Sequence, residues 1–510
     1  MRQVYYLTTA IPYVNANPHI GFALEILYAD VMARFQRLLG KNVYFLTGTS
    51  EHGQKILKAA QAAGIEVNEF VAQKSAAFQE LADEWNISHN DFIRTTEERH
   101  IRGVQKLWQA AEASGDIYKK SYVGLYCVGC EAFKTEKDLE SGKCPIHQTE
   151  PEQLAEENYF FRLSKYQEPL EFLFSETKDF VVPPNRLLEV KNMLIAGLED
   201  VSVSRSKEKV AWGIPVPGDE AQMMYVWFNE LGNYLTALGY GSADQTKLNT
   251  YWPAVHVIGK DINRFHSLLW VAMLISAGLE VPRQIAVHGF LNVNGQKMSK
   301  SLNNVIDPRE LTRQYPLEAV RYFFMREIPF DTDGNFSHQQ FRERYQGDLA
   351  NGIGNLTYRV LTMMEKYSAG QIPPVREINH ALINFLTKET WPAYSEHLNN
   401  WRFDRALEAA GKFVSFCDQI ISDAEPWALV KAGKMNEVND LLYHLAEALR
   451  HIAVMIWPVL PETAEKIFTQ LGLDVALELA KPLAELQQWV ELTVGNKIQK
   501  AGPLFPRLAT

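Results

Sequence analysis

The chain reads as an α/β protein, a parallel sheet split by an insertion, followed by an α-helical bundle. Three observations predict this. Strand and helix patterns alternate from Val4 to Ala63, the same alternation returns at Pro253, and helical periodicity takes over after about Gln346. At ~100–200 residues per domain, 510 residues suit about three domains.

Val4–Thr9 is a β-branched and aromatic run that fits a buried strand. Pro12, Asn15, Asn17 and Pro18 mark a loop. From Ile20, the residues Leu24, Leu27, Tyr28, Val31, Phe35, Leu38 and Leu39 recur at helical steps, and Gly40 suits the residue after the helix. Val43–Thr47 reads as the next strand and Gln54–Ala63 as an amphipathic helix, so this is a βαβ unit in a parallel sheet. Pro253–Ile258, Ile262–Ala277 and Ile285–Phe290 repeat strand, helix, strand. Between Asp116 and Ser204 turn residues and three of the four cysteines interrupt the pattern, which marks an insertion. Long helical patterns follow near Asp348–Lys366, His380–Leu398, Phe403–Ser422 and Val438–Ile456, as in a bundle.

Apolar residues make up 46% and charged residues 22%, which excludes wholesale disorder. The net charge of −10 argues against a basic coat for non-specific nucleic-acid binding, though a local basic groove remains compatible. The amino-terminal segment lacks the apolar core of a signal peptide, and no apolar run approaches the ~20 residues of a membrane span. Four cysteines are too few for a disulfide-built secreted protein. The expectation is a cytoplasmic protein without membrane partners.

Two short motifs bracket the sheet. Pro18-His19-Ile20-Gly21 begins a helix after the first strand. Free N–H groups and the helix dipole make such a start a phosphate site; Gly21 allows close approach and His19 can donate. The bland alternative is a loop-to-helix junction capped by a histidine. Lys297-Met298-Ser299-Lys300-Ser301 follows the last strand and an Asn294-Gly295 turn. Its lysines and serines can grip a polyphosphate as it becomes a leaving group.

The cysteines make a separate case. Cys127-x2-Cys130-x13-Cys144-x2-His147 has the thiolate and imidazole donors, and the spacing, of a closed tetrahedral zinc site. Four protein ligands make it structural, with one Zn²⁺ per chain. Cys417, within a helical pattern, is most simply a core thiol.

Together the two motifs, one after the first strand and one after the last, resemble a class I aminoacyl-tRNA synthetase. Longer strings narrow the resemblance: Ala10 to Gly21, Phe45-Leu46-Thr47-Gly48-Thr49 with Glu51-His52-Gly53, and Ile93 to His100. Further on come Trp212 to Pro217, Tyr225-Val226-Trp227, Gly259-Lys260-Asp261-Ile262, Gly354-Asn355-Leu356 and Glu425-Pro426-Trp427. These are similar to the methionyl-tRNA synthetase family of the short bacterial type over essentially the whole chain.

The resemblance implies a Rossmann-type catalytic domain in two halves, 1–115 and 205–290, around a connective zinc-knuckle insertion at 116–204. A loop and stem-contact region at 291–345 and an anticodon-binding helical bundle at 346–510 would complete it. It implies a methionine–tRNA ligase that uses ATP, with Mg²⁺, and tRNA(Met), and that works as a monomer. His19, Lys297 and Lys300 would be catalytic; His19, Gly21, Lys297, Ser299 and Lys300 would hold ATP. Ile11, Tyr13, Trp227, Tyr234, Ile262 and His266 would line the methionine pocket, with Asp261 facing the adenylate or the amino acid. Ser50 and Glu230 also fall at amino-acid-binding positions. Asn355, Arg359 and Trp427 would meet the anticodon. Read without the family, Trp227 and Tyr234 are core aromatics, and Trp427 is a bundle-core residue.

Four positions depart from the family pattern. Phe22 stands where the first motif usually ends in histidine. Ser50 stands where an aspartate usually contacts the α-amino group. Asn229 and Glu230 stand for Asp and Ala. A carboxylate beside an apolar pocket must be paired, protonated or turned to solvent. Two other readings therefore stand beside the first: a paralogue adenylating another amino acid, for an acceptor other than tRNA, and a non-catalytic RNA-binding relative.

Overall fold

The computed structural model describes all residues except 1–2, 129–131, 135, 137–138, 146–147, 298–305, 490–491 and 509–510. At 122, 132–134, 154–156 and 297 it describes the backbone alone. The chain forms two compact units, one of Val4–Ala29 and Val43–His288, the other of Met1–Gln3, Asp30–Asn42 and Gly289–Thr510.

The first unit is built on a six-stranded sheet. The opening βαβ runs as the sequence predicts: β1 (Val4–Thr9), α1 (Ile20–Leu38), β2 (Asn42–Thr49) and α2 (Gln54–Ala63). Then come α3 (Val67–Glu84), β3 (Asp91–Arg94) and α4 (Glu98–Ala113). The strand order is β3, β2, β1, Ala254–Gly259, Gln284–His288, Val181–Val182. β1 pairs in parallel with Ala254–Gly259, Tyr6 opposite Ala254, and β2 pairs in parallel with β3, Gly48 opposite Ile93. The inner strands are almost wholly buried, which suits a parallel sheet covered on both faces. The strand order reverses between β1 and Ala254–Gly259. The carboxyl ends there form the crevice where open α/β sheets bind ligands.

Three details differ from the sequence reading. The last main-sheet strand stops at His288, not Phe290, and Leu291–Val293 joins a separate small sheet. A Cβ on Gly289 would lie 2.1 Å from the Thr332 carbonyl oxygen, so the chain turns where only glycine fits. The helix expected over Ile262–Ala277 contains a π-helical stretch, Phe265–Trp270, before Val271–Ser276. The stretch from Asp116 to Ser204 is more than an interruption. It forms an antiparallel sheet in which Ile117–Cys127 pairs with Glu152–Phe161, and it lends Val181–Val182 to the edge of the main sheet.

The second unit is mostly helical. Asn355–Tyr367, Trp391–Asn399, Phe403–Ala424, Met435–Ile456 and Pro461–Gln470 are its longer α-helices. Met435–Ile456 is buried at every residue from Leu441 to Ile456, so it is the axis of the bundle. Cys417 is fully buried in Phe403–Ala424, and burial pushes its thiol pKa up, as befits a core residue.

A buried charge cluster holds this unit. Arg321 Nη2 donates to Asp30 Oδ2 at 2.6 Å, and both side chains are fully buried. Arg34 Nε donates to the same oxygen at 2.9 Å, and Arg321 Nε donates to the Val459 carbonyl at 2.8 Å. Removing Arg321 takes one of two cations from a fully buried carboxylate, leaves Arg34 as its remaining charged partner, and frees the Val459 carbonyl. Arg321→Met is therefore expected to cost ~3–5 kcal/mol, read as a lower urea midpoint. An unchanged midpoint would dismiss the pair as a stabilising element.

Candidate active site

The site gathers at the carboxyl ends of the inner strands. After β2, the loop Thr49–Gly53 is fixed at nearly every backbone group. Ser50 N donates to the Pro12 carbonyl at 2.9 Å and Val14 N to the Ser50 carbonyl at 3.2 Å. Glu51 N donates to Thr95 Oγ1 at 2.9 Å, and Gly53 N to the Trp212 carbonyl at 3.1 Å. The Glu51 carboxylate is fully buried and takes two donors from Arg94, at 2.7 and 3.0 Å. Thr49 Oγ1 donates to it at 3.0 Å, and Thr96 Oγ1 adds a further bond. These bonds consume Glu51 and leave Ser50 and His52 as the loop's available side chains. Ser50 Oγ is buried and makes no hydrogen bond among the described residues.

Aromatic residues form a wall beside this loop. Trp227 stacks on Phe265, centroids 4.0 Å apart and planes 6° from parallel, and meets His266 edge-on at 6.4 Å. Tyr234 Oη and His266 Nε2 are 2.7 Å apart, and His266 Nδ1 lies 3.1 Å from the Ile262 carbonyl. The carbonyl can only accept, so His266 carries its proton on Nδ1, and Tyr234 donates to Nε2. The expected residues Trp227, Tyr234, Ile262 and His266 therefore do come together. Phe265 belongs with them, and its position beside His266 was the available signal. Ile11 is buried in the same core cluster, and Tyr13 bridges to Ser50 across the strand ends. Asp261 is exposed, in the turn after Ala254–Gly259.

His19 sits exposed at the start of α1, and its Nδ1 accepts the Gly21 amide at 3.0 Å. The histidine thus caps its own helix, which places the ring proton on Nε2. Lys297 has a described backbone only, in the short strand Gln296–Lys297 paired with Asn292. Ser299 and Lys300 lie outside the described residues.

The four departures meet different fates. Phe22 is buried and packs edge-on against Phe78, 4.9 Å between centroids, so an apolar ring fills an apolar place. Asn229 is buried between two histidines: its Nδ2 lies 3.1 Å from His52 Nδ1 and its Oδ1 2.6 Å from His100 Nε2. Glu230 is 4% exposed, which removes the option of a carboxylate turned to solvent. Ser50 is fully buried, as above.

Among the cysteines, Cys127 ends the strand Ile117–Cys127, and Cys144 accepts the Gln148 amide at 2.7 Å in a tight turn; both are buried. Cys130 and His147 lie outside the described residues. Among the described residues no three potential metal ligands cluster. In the bundle, Asn355 and Arg359 lie one turn apart on Asn355–Tyr367, and Arg359 Nη1 pairs with Asp418 at 2.6 Å. Trp427 is 46% exposed in Pro426–Lys431, so it is not the core residue its bland reading made it.

The first unit keeps several histidines neutral. Burial pushes His52 down to about 3, and His100 and His266 down to about 4; His256 is also lowered. In the unfolded chain each titrates near ~6.5, so below that pH the unfolded state binds more protons and stability must fall. His52, His100 and His266 should each contribute a loss of ~1.4 kcal/mol per pH unit between about pH 6.5 and 4. Glu25, whose pKa burial raises, opposes the trend in part. Urea midpoints followed by tryptophan fluorescence should drop from pH 7 to pH 5; an equal or higher midpoint at pH 5 would contradict neutral histidines.

Comparison with known proteins agrees with this geometry. The family described as tRNA synthetases class I (M) matches residues 5–153 and 134–361, and the anticodon-binding domain of tRNA ligase matches 383–500. The methionine–tRNA ligase of Thermotoga maritima is 41% identical over 512 residues, 99% of this chain and 80% of that protein. That of Brucella suis is 42% identical over 519 residues, 99% of this chain and 98% of that protein. The solved Mycobacterium tuberculosis methionyl-tRNA synthetase in complex with methionyl-adenylate superposes with a TM-score of 0.94 at 38% identity, covering 99% of this chain and 100% of that one. By identity, coverage and fold, the chain belongs to the class I methionyl-tRNA synthetase family.

Proposed function

We propose that the protein activates methionine with ATP to methionyl-adenylate, releasing pyrophosphate, and transfers the acyl group to the 3′ end of tRNA(Met). The observation that carries this reading is the near-complete likeness to a solved enzyme holding methionyl-adenylate. The aromatic wall supports it. Trp227, Tyr234, Phe265 and His266 offer polarisable faces and edges that suit a thioether. Ile11, Tyr13, Ile262, Asp261, Ser50 and Glu230 complete the amino-acid site in this reading.

His19 and Gly21, at the amino terminus of α1, hold the phosphates, and His19 donates through Nε2. Lys297, Ser299 and Lys300 neutralise the charge that develops on pyrophosphate. Mg²⁺ accompanies the nucleotide as part of the substrate. No enzyme-bound covalent intermediate is needed; the chain positions the reactants and stabilises charge. Asn355, Arg359 and Trp427 read the anticodon, the exposed Trp427 by stacking. The matched anticodon-binding domain favours tRNA over another acceptor.

The five-part division stands as part of this proposal: 1–115 and 205–290 as the catalytic halves, 116–204 as the insertion, 291–345 as the loop and stem region, 346–510 as the anticodon domain. Zinc belongs to it as well. The buried thiols of Cys127 and Cys144 suit a soft-donor site, which Cys130 and His147 would close. Bound there, zinc would supply structural cross-linking only. No described helix is long and apolar enough to cross a membrane, and the reading places the protein in the cytoplasm as a monomer.

Three measurements test this. Amino-acid-dependent ATP–pyrophosphate exchange should respond to methionine among the twenty standard amino acids; preference for another would overturn the assignment. Lys300→Ala should lose ~10²–10³-fold of exchange rate with the fold intact. Unchanged exchange would remove the loop from the chemistry. Elemental analysis should find one zinc per chain, lost in Cys130→Ser; zinc-free protein with freely titratable thiols would refute the site.

A further inference from the structure

Asn229 lies at the centre of a buried polar chain. Thr236 Oγ1, His100, Asn229 and His52 are joined at 2.9, 2.6 and 3.1 Å, and all four residues are at most 5% exposed. Both rings are neutral, because burial opposes their charging and the Arg99 guanidinium opposes it further at His100. Each ring therefore carries one proton, and the chain decides which nitrogen holds it.

The amide of Asn229 has one accepting end and one donating end. Its Oδ1 makes the shorter contact, so His100 donates from Nε2. His100 Nδ1 must then accept. The Thr236 hydroxyl is its donor at 2.9 Å, closer than that hydroxyl's alternative, the Asn233 carbonyl at 3.2 Å. The Asn229 Nδ2 donates in turn to His52 Nδ1. The remaining proton of His52 therefore sits on Nε2. A carboxylate at position 229 could only accept. It would draw protons from both rings and move the His52 proton to Nδ1.

His52 is held in other ways too. Its ring lies 5.5 Å from that of Trp212, and its loop is tied down on both sides. With Gly53, Trp212, Gly213, Tyr225 and Val226 it lines a cavity of about 10 Å³, room for one water-sized group. With Nδ1 consumed, Nε2–H is the one donor the His52 ring has left. Asn229 is also two residues from Trp227 on the same short helix, so the chain and the aromatic wall share a support.

We propose that Asn229 is a positioning residue: it fixes His52 as the neutral Nε2–H tautomer, which donates to an acceptor oxygen on the amino-acid half of the substrate. This rests on the methionine-activating reading of the site. A short hydrogen-bonded chain that ends in one defined donor has its geometry set before substrate arrives, and this is the state that catalysis by positioning requires.

Nitrogen NMR of the full-length protein with ¹⁵N-labelled histidine, His52 being assigned by its loss in His52→Gln, tests the proposal. In the wild type Nδ1 of His52 should be unprotonated and Nε2 protonated, and His100 should also be protonated on Nε2. In Asn229→Asp the His52 Nδ1 should become protonated. The KM for methionine in pyrophosphate exchange should then rise roughly tenfold, about the worth of one hydrogen bond, with KM for ATP unchanged. A wild-type spectrum with the proton on Nδ1 overturns the proposal and needs no variant. So does an Asn229→Asp protein whose tautomer changes while its methionine KM does not. Wild-type protein with the expected tautomers and no methionine-dependent exchange would overturn the functional reading, and this role with it.

Discussion

The buried carboxylate of Glu51 is the constraint on which the site depends. It has no access to solvent, and it is tolerated because Arg94 meets both its oxygens while Thr49 and Thr96 fill the remaining acceptor directions. The pair joins the carboxyl ends of β2 and β3, two strands that approach unusually closely. A Cβ on Gly48 would lie 2.0 Å from the Ile93 carbonyl oxygen, so only glycine permits the spacing. The loop that follows therefore rests on a sheet edge, not on a flexible tether. Because Glu51 faces Arg94, its neighbours Ser50 and His52 are left for other partners.

A second set of neutral polar groups lies along the inner strands. His256 accepts or donates at both ring nitrogens, to Thr8 at 2.7 Å and Trp270 at 3.1 Å, while its ring packs 4.2 Å from that of Tyr234. Trp270 Nε1 can only donate, so His256 holds its proton on Nδ1 and gives it to Thr8. The Tyr234 hydroxyl donates its hydrogen bond to His266 Nε2. Hydrogen-bond direction is thus fixed at His256 on the inner strand and at His266 in the aromatic wall. Such a network gives geometry at low desolvation cost, whereas an ion pair here would need many compensating contacts.

Much of the scaffold was legible in the sequence. β1 and α2 fall at the residues their patterns predicted, because inner parallel strands are continuous apolar runs and α2 carries a single apolar face. The helices after about Gln346 were legible for the same reason. What escaped was set by contacts remote in sequence. Val181–Val182 is too short to announce itself as a strand and exists because Ile285 and Ala286 pair with it. The strand end at His288 is fixed by the closeness of Thr332 to Gly289. In the site, the aromatic residues could be gathered from motifs. The partnership of Asn229 with His52 and His100 could not, because both histidines lie more than a hundred residues before it and no local period encodes it.

The four departures from the family pattern separate once their surroundings are seen. Phe22 has an apolar neighbour in Phe78 and makes the exchange of a polar ring for an apolar one self-consistent. Asn229 meets two histidines and satisfies both ends of its amide. Each of these is complete within the protein. Ser50 and Glu230 are different: both are buried, and Ser50 Oγ bonds to no described residue. Loss of function by drift would leave eroded packing at the site. Here the packing is intact, Trp227 lies flat on Phe265, and the unfilled hydrogen-bonding capacity of Ser50 lies beside the aromatic wall. A buried hydroxyl without a partner costs stability, and such a cost is commonly retained where a ligand meets it. The departures therefore fit a working site whose polar contacts have been redistributed between two strand ends and one short helix.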